Sequence, residues 1–356
     1  MEVAIVANGD GPGPRRRVLL KDVADSANVS GSTASRALAD DRRISLATRL
    51  AVKAAAAELQ YVPNAAARSL RMRRTQTLGL LVPDLRDPVH GQIASAFEQE
   101  ARQLGFSVFV VAGENELADE RLALSVFAEH RTDGVAIVSG VISPKEAIGR
   151  VDPDRLVLVQ PDHRSLPRRA GPLFPGVIQT DDASGITAAV EHLIDRGYRR
   201  IGYVEGGPGA TNTGRAETVA TTLRRHGIRT ALRTYPAPRD AWRDPAELAA
   251  TIGSDLPDAL VCYDDKLALA LMDALRGLGV RVPDDLGIVG FDDIPFAAIS
   301  NPRLTTVSIP SALMGRTAAA SLISTLEVGT LPEGMLLPLE LIVRESTRPA
   351  DRSGPG

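Results

Sequence analysis

The sequence predicts a multidomain α and α/β protein, with a small helical head followed by a two-lobed, Rossmann-like body. Three observations carry this expectation. At 356 residues the chain is longer than one hydrophobic core ordinarily organises, since single cores stop growing at about 250 to 300 residues. From Val18 to Tyr61 the apolar residues fall into three short helical pieces, the last marked by Val52, Ala55, Ala56 and Leu59. After Thr77 the pattern changes to apolar runs of four or five residues alternating with helical stretches, the signature of parallel sheets covered on both faces.

Residues 1–17, rich in Gly, Pro and Arg and without an apolar period, are expected to form a disordered basic tail. Residues 18–63 form the head. Within it, Lys21 to Leu38 divides into two helices at Asn28, which tolerates the left-handed conformation of a tight turn. Ser30 is placed to cap the second helix, so the pair reads as a helix-turn-helix. Val23, Ala24 and Ala27 can pack on Ala34, Ala37 and Leu38, with Val29 closing the corner. The outward face is then Ser32, Thr33, Ser35 and Arg36, whose hydroxyls and guanidinium suit phosphates and base edges.

Residues 64–74 read as a short connecting segment, 75–348 as the body and 349–356 as a flexible tail. The body's apolar runs include Leu78 to Val82, Val108 to Val111, Val135 to Val138, Leu156 to Val159, Ile201 to Val204, Leu260 to Cys262 and Ile288 to Phe291. That is too many strands for one lobe. Two doubly wound lobes place a ligand crevice at the carboxyl ends of the strands.

Charge is divided along the chain. Residues 15–74 hold thirteen Lys and Arg against five Asp and Glu, whereas residues 75–356 hold 28 against 37. A basic head on an acidic body implies that the head alone meets a polyanion. No apolar run approaches the roughly 20 residues of a membrane helix, so no membrane partner is expected. The single Cys262 cannot form an internal disulfide and the N-terminus does not have the order of a secretory signal, which together point to a cytoplasmic protein. An enzyme is not expected: GxSxG, P-loop and GxGxxG signatures are absent, and the five His have no metal-ligand spacing. Neither a metal nor a cofactor is implied.

The combination DVA..A.VS..T.SR from Asp22, then Tyr61-Val-Pro-Asn-Ala-Ala-Ala-Arg-Ser-Leu70, resembles the head and hinge of the lactose-repressor (LacI/GalR) family. The likeness continues through Leu78-Gly-Leu-Leu-Val-Pro-Asp84, Glu191-His-Leu-Ile-Asp-Arg-Gly-Tyr198, Val282-Pro-Asp-Asp-Leu-Gly-Ile-Val-Gly-Phe-Asp-Asp293 and Arg344-Glu-Ser-Thr347, covering residues 18–348. The resemblance implies a transcription regulator, a repressor working as a homodimer on a near-palindromic operator. Its body is of the periplasmic-binding-protein type and takes a small-molecule effector between the lobes. Base readout falls to Ser32 and Arg36, because Gly31 at a third reading position has no side chain. Leu19 stands where the family commonly has a capping Thr. Asn64, Ala67 and Leu70 belong to a hinge helix, with Leu70 the apolar wedge for the minor groove.

For the effector, the resemblance points to Asp84, Gln160, Asp182, Arg215, Asp264 and Asp292. Asp182 and Asp264 stand where Asn is usual and add acceptors to the cleft, favouring a ligand rich in hydroxyl or amino donors. Arg215 and Asp292 are expected to face each other across the crevice. A carbohydrate is the first expectation and a nucleoside or purine the alternative, and an exported solute-binding protein would have no use for the basic head. Trp242 is read either as a stacking face for a sugar or base or as a packing residue.

Overall fold

The computed structural model describes residues 18–62, 74–138, 141–161, 175–207, 214–238 and 240–348. Its chain divides into two units, Met1–Thr75 and Gln76–Gly356. In the first unit, small apolar residues at helical spacing make three helices: α1 (Leu20–Ser26), α2 (Gly31–Leu38) and α3 (Leu46–Glu58). Asn28 takes φ 51° at the turn, and the Ser30 side chain accepts a hydrogen bond from Thr33 N at 3.1 Å. Both are the local devices expected there. Val23, Ala24, Ala34, Ala37, Val52, Ala55 and Ala56 form the buried centre, with Ala27, Val29 and Leu38 packed around it. Leu19 provides no cap for α1, and the Asp22 carboxylate takes the Leu19 N–H at 2.7 Å instead.

The second unit contains two six-stranded sheets. The strands are β1 (Thr77–Val82), β2 (Ser107–Ala112), β3 (Gly134–Val138), β4 (Leu156–Val159), β5 (Val177–Thr180), β6 (Ile201–Val204), β7 (Arg233–Tyr235), β8 (Ala259–Cys262), β9 (Gly287–Asp292), β10 (Thr305–Ser308), β11 (Met335–Leu337) and β12 (Glu340–Ile342). The first sheet runs β11-β5-β4-β3-β1-β2 and is parallel throughout. The second runs β12-β10-β9-β8-β6-β7 and is parallel except where β12 pairs with β10.

Helices cover both faces of each sheet. On the first they are α4 (Pro88–Gln103), α5 (Leu117–Glu129) and α6 (Pro144–Ile148); on the second, α7 (Asp182–Asp195), α8 (Arg215–Arg225), α9 (Ala246–Ser254) and α10 (Asp265–Gly277). The period of two divides each strand between them: Leu78, Leu80 and Val82 pack under α4, while Leu81 packs under α5. The run Val108 to Val111 reads as a covered strand, but β2 is the outermost strand of its sheet and leaves Phe109 and Val110 exposed.

Three connections pass between the lobes. β5 in the first sheet leads into α7 on the second. β10 in the second leads into α11 (Ser311–Val328), which packs back onto α4. Gly315 permits that contact, since a Cβ there would collide with the Ile93 carbonyl. β11 pairs with β5, and β12, a few residues on, pairs with β10. The two lobes are therefore joined at one side of their sheets, and a cleft lies between the carboxyl ends of their strands.

Candidate nucleic-acid interface and inter-lobe cleft

On the head, Gly31, Ser32 and Arg36 are exposed on α2, and Thr33 and Ser35 are half-buried. The Ser30 hydroxyl lies 2.9 Å from both Ser32 Oγ and Thr33 Oγ1, so the cap also orients the first two hydroxyls of the helix. A Cβ at Gly31 would meet nothing within 4 Å, which leaves room for a groove edge to approach the helix start. Asn64, Ala67 and Leu70 lie outside the described residues.

In the body, three of the six expected effector residues belong to one hydrogen-bonded chain. Gln160 follows β4 at φ 53° and donates through Nε2 to Thr180 Oγ1 at 2.6 Å. Thr180 Oγ1 donates to Asp182 Oδ1 at 2.5 Å, and Arg215 Nε donates to Asp182 Oδ2 at 2.9 Å. Arg215 Nη1 then reaches the Tyr263 carbonyl at 2.6 Å. The chain thus runs from the end of β4 through the first inter-lobe connection to the end of β8. It borders a cavity of about 260 Å³ lined in part by Gln160, Thr180, Asp182, Arg215 and Leu336.

Arg215 is 5% exposed and its Cζ lies 3.5 Å from the centre of the Phe291 ring. Burial works against its charge, but Asp182 and the other acids nearby hold its pKa above the ordinary value. Among the described residues its Nη2 has no hydrogen-bond partner. The expected encounter of Arg215 with Asp292 across the crevice does not occur. Both residues belong to the second lobe, because β6, which precedes α8, and β9 are strands of one sheet, and Asp182 takes the place expected of Asp292.

Asp292 ends β9 at φ 110°, an unusual backbone for a residue with a Cβ. Asp293 follows at φ 54°. This bend is held from below: Asp265 accepts from Ile294 N at 2.9 Å and from Thr306 Oγ1 at 2.6 Å, and Arg344 pairs with Asp293 at 2.6 Å. Gly290 makes room, since any Cβ there would collide with the Asp265 carboxylate. Among the described residues the Asp292 carboxylate has no hydrogen-bond partner. Burial and the nearby Asp264 push its pKa well above the usual carboxylate range, with Arg215 opposing.

Asp264 caps α10 through Oδ1 to Leu267 N at 2.8 Å, and burial raises its pKa too. On the other lobe Asp84 accepts from both Arg86 N and Arg86 Nε at 2.8 Å, so one of its oxygens is already engaged within its own loop. Lys266, which no sequence motif singles out, forms an ion pair with Asp87, and its ammonium is 6.0 Å from the centre of the Trp242 ring. Trp242 is 40% exposed. Cys262 is fully buried, and burial pushes its thiol pKa up.

Residues 19–64 match the family described as bacterial regulatory proteins, lacI family, and residues 190–347 match a periplasmic binding protein-like domain. The chain is similar to the HTH-type transcriptional regulator GalR of Escherichia coli, 31% identical over 88% of this chain and 91% of that protein. It is likewise 31% identical to the HTH-type transcriptional repressor PurR of Photobacterium profundum, over 84% and 89% of the two chains. Among solved structures it is similar to a lac repressor dimer bound to operator and the anti-inducer ONPF, with TM-score 0.82 and 26% identity, covering 93% of this chain and 99% of that one. A complex of the transcriptional regulator CelR with cellobiose gives TM-score 0.66 and 27% identity over 93% and 100%. Among the described residues no helix is long and apolar enough to cross a membrane.

Proposed function

Because this chain belongs to the LacI family of bacterial regulatory proteins, we propose that it is a transcriptional repressor, not an enzyme, whose grip on operator DNA is set by a carbohydrate bound between its lobes. The head reads a near-palindromic operator as one half of a homodimer, as befits relatives such as the lac repressor dimer on its operator. Arg36 and Ser32 contact base edges, with Thr33 and Ser35 supporting them on the same helix.

The observation that carries the effector reading is the pairing of unused groups in the cleft. Among the described residues neither the Asp292 carboxylate, presented on a strained backbone, nor Arg215 Nη2 has a hydrogen-bond partner. Strain of this kind persists only where the surrounding structure enforces it, and here Asp265, Thr306 and Arg344 do so. An acceptor and a donor so arranged suit a polyhydroxyl ligand, with Asp182, Asp264 and Gln160 adding further acceptors. A purine is the second reading, favoured by the half-exposed Trp242 ring, which offers a stacking face.

The test is a gel-shift titration of wild type and Arg36→Ala on an operator selected from random duplexes. Loss of the Arg36 contact is expected to remove about 1 to 3 kcal/mol of discrimination per half-site. Undiminished preference of Arg36→Ala for the operator over a scrambled duplex contradicts the recognition assignment. A thermal-shift panel of cellobiose, other sugars and purines on the full chain decides the effector class.

A further inference from the structure

Lys266 occupies a position that makes no sense for the helix it belongs to. It is the second residue of α10, where the helix dipole presents positive charge and disfavours a cation. Its ammonium is turned instead toward two carboxylates that cap helices of different lobes. Asp87, the N-cap of α4 in the first lobe, uses Oδ1 to accept from Val89 N at 2.9 Å and Oδ2 to pair with Lys266. Asp264, the N-cap of α10 in the second lobe, places Oδ2 3.7 Å from the same ammonium. The three side chains are only 12% (Asp87), 16% (Asp264) and 25% (Lys266) exposed, so the pairing is poorly screened by solvent. Burial opposes the lysine charge, yet Asp264 and Asp87 hold its pKa above the ordinary value.

The ion pair joins the two lobes directly. Val89, two residues after Asp87, packs against the cores of both lobes, so the ion pair sits where the start of α4 meets the second lobe.

We propose that the Asp87–Lys266 ion pair is a latch that holds the two lobes together before the effector arrives, making Lys266 and Asp87 positioning residues for effector uptake. This rests on the reading of the cleft as the effector site. With the latch intact the cleft is pre-organised, and a ligand need not close it at its own expense. Lys266→Met removes the cation while keeping the stem. Asp87→Asn removes the anion while leaving a good helix cap, and so separates charge from helix stability.

The test measures the spread of distances between spin labels at Ala118→Cys and Glu217→Cys in the full chain without ligand. Both positions are exposed at the starts of α5 and α8, on opposite lobes, and the buried Cys262 stays unlabelled. Wild type should give a narrow, short distribution, and Lys266→Met and Asp87→Asn should each give a longer and broader one. Lys266→Arg, which keeps the cation, should keep the short distance. Affinity for cellobiose, used as the probe sugar, should fall about fivefold in the single variants. Unchanged distances in both single variants overturn the latch, even if the sugar still binds. Failure of wild type to bind any sugar in the panel overturns the effector reading, while the label distances still judge the latch.

Discussion

The head and the body carry charge in opposite ways. On the head it is displayed: Arg36 and Ser32 are exposed on α2, and the flanking Arg43 side chain is 81% exposed. In the cleft it is withdrawn, with Arg215 stacked on Phe291 and paired to Asp182, and Lys266 held between two capping carboxylates. Displayed charge acts at a distance and is weakened by salt, whereas withdrawn charge acts only at contact and is costly to leave unpaired. One chain thus joins a surface suited to a long polyanion with a site suited to a small polar molecule.

Salt gives the largest separation of the two regions. Raising it from about 50 to about 200 mM should weaken operator binding by about a thousandfold or more for a dimer touching six or more phosphates. Effector affinity should change by less than about twofold. Fluorescence anisotropy on labelled operator and calorimetry with the sugar measure the two, and equal salt sensitivity erases the distinction.

Removing a withdrawn charge comes next. Arg215→Ala strands Asp182 beside the cavity, and breaking such a pair costs about 3 kcal/mol. Urea unfolding should show that loss in the body, and the effector response should disappear while operator binding by the folded variant persists. A variant of wild-type stability and full effector response places the ligand elsewhere.

The smallest effect concerns Asp265, which supports the bend that presents Asp292. Burial, with Asp264 and Asp293 adding, pushes its carboxyl up to about 7, against hydrogen bonds from Thr306 and Ile294. The folded protein therefore keeps this proton where the unfolded chain, with a pKa near 3.8, has released it. Its contribution to stability is complete below about pH 4 and is lost as pH rises through 7. Asp265→Asn should flatten the decline of stability between pH 5 and 7 by up to roughly one proton, as thermal melts at constant salt will show. Parallel profiles for wild type and variant contradict the assignment.

The contrast between the regions also explains how much of each was legible in the sequence. In the head, the helix-turn-helix rests on local devices, and the left-handed Asn28, the Ser30 cap and the face bearing Arg36 all follow from residues a few positions apart. In the body, seven apolar runs announced seven strands. Five more escaped notice: β5, β7, β10, β11 and β12 are three or four residues long, and Thr305-Thr306-Val307-Ser308 or Arg233-Thr234-Tyr235 is not an apolar run. These include strands that link the lobes, so the partner of Arg215 could not be read correctly. Lys266 was missed for the same reason, since the carboxylate that explains it stands 179 residues earlier in the chain.

A head that reads one particular DNA sequence under the control of the cleft has a defined signature in solution. The most direct test is selection of random duplexes by the full chain, followed by titration of the selected site with and without the sugar that stabilises the protein. One near-palindromic sequence should emerge, bound far more tightly than scrambled DNA, with an affinity that shifts at least about fivefold when the sugar is present. Enrichment of no sequence, or an operator affinity indifferent to every ligand that binds the body, contradicts this reading.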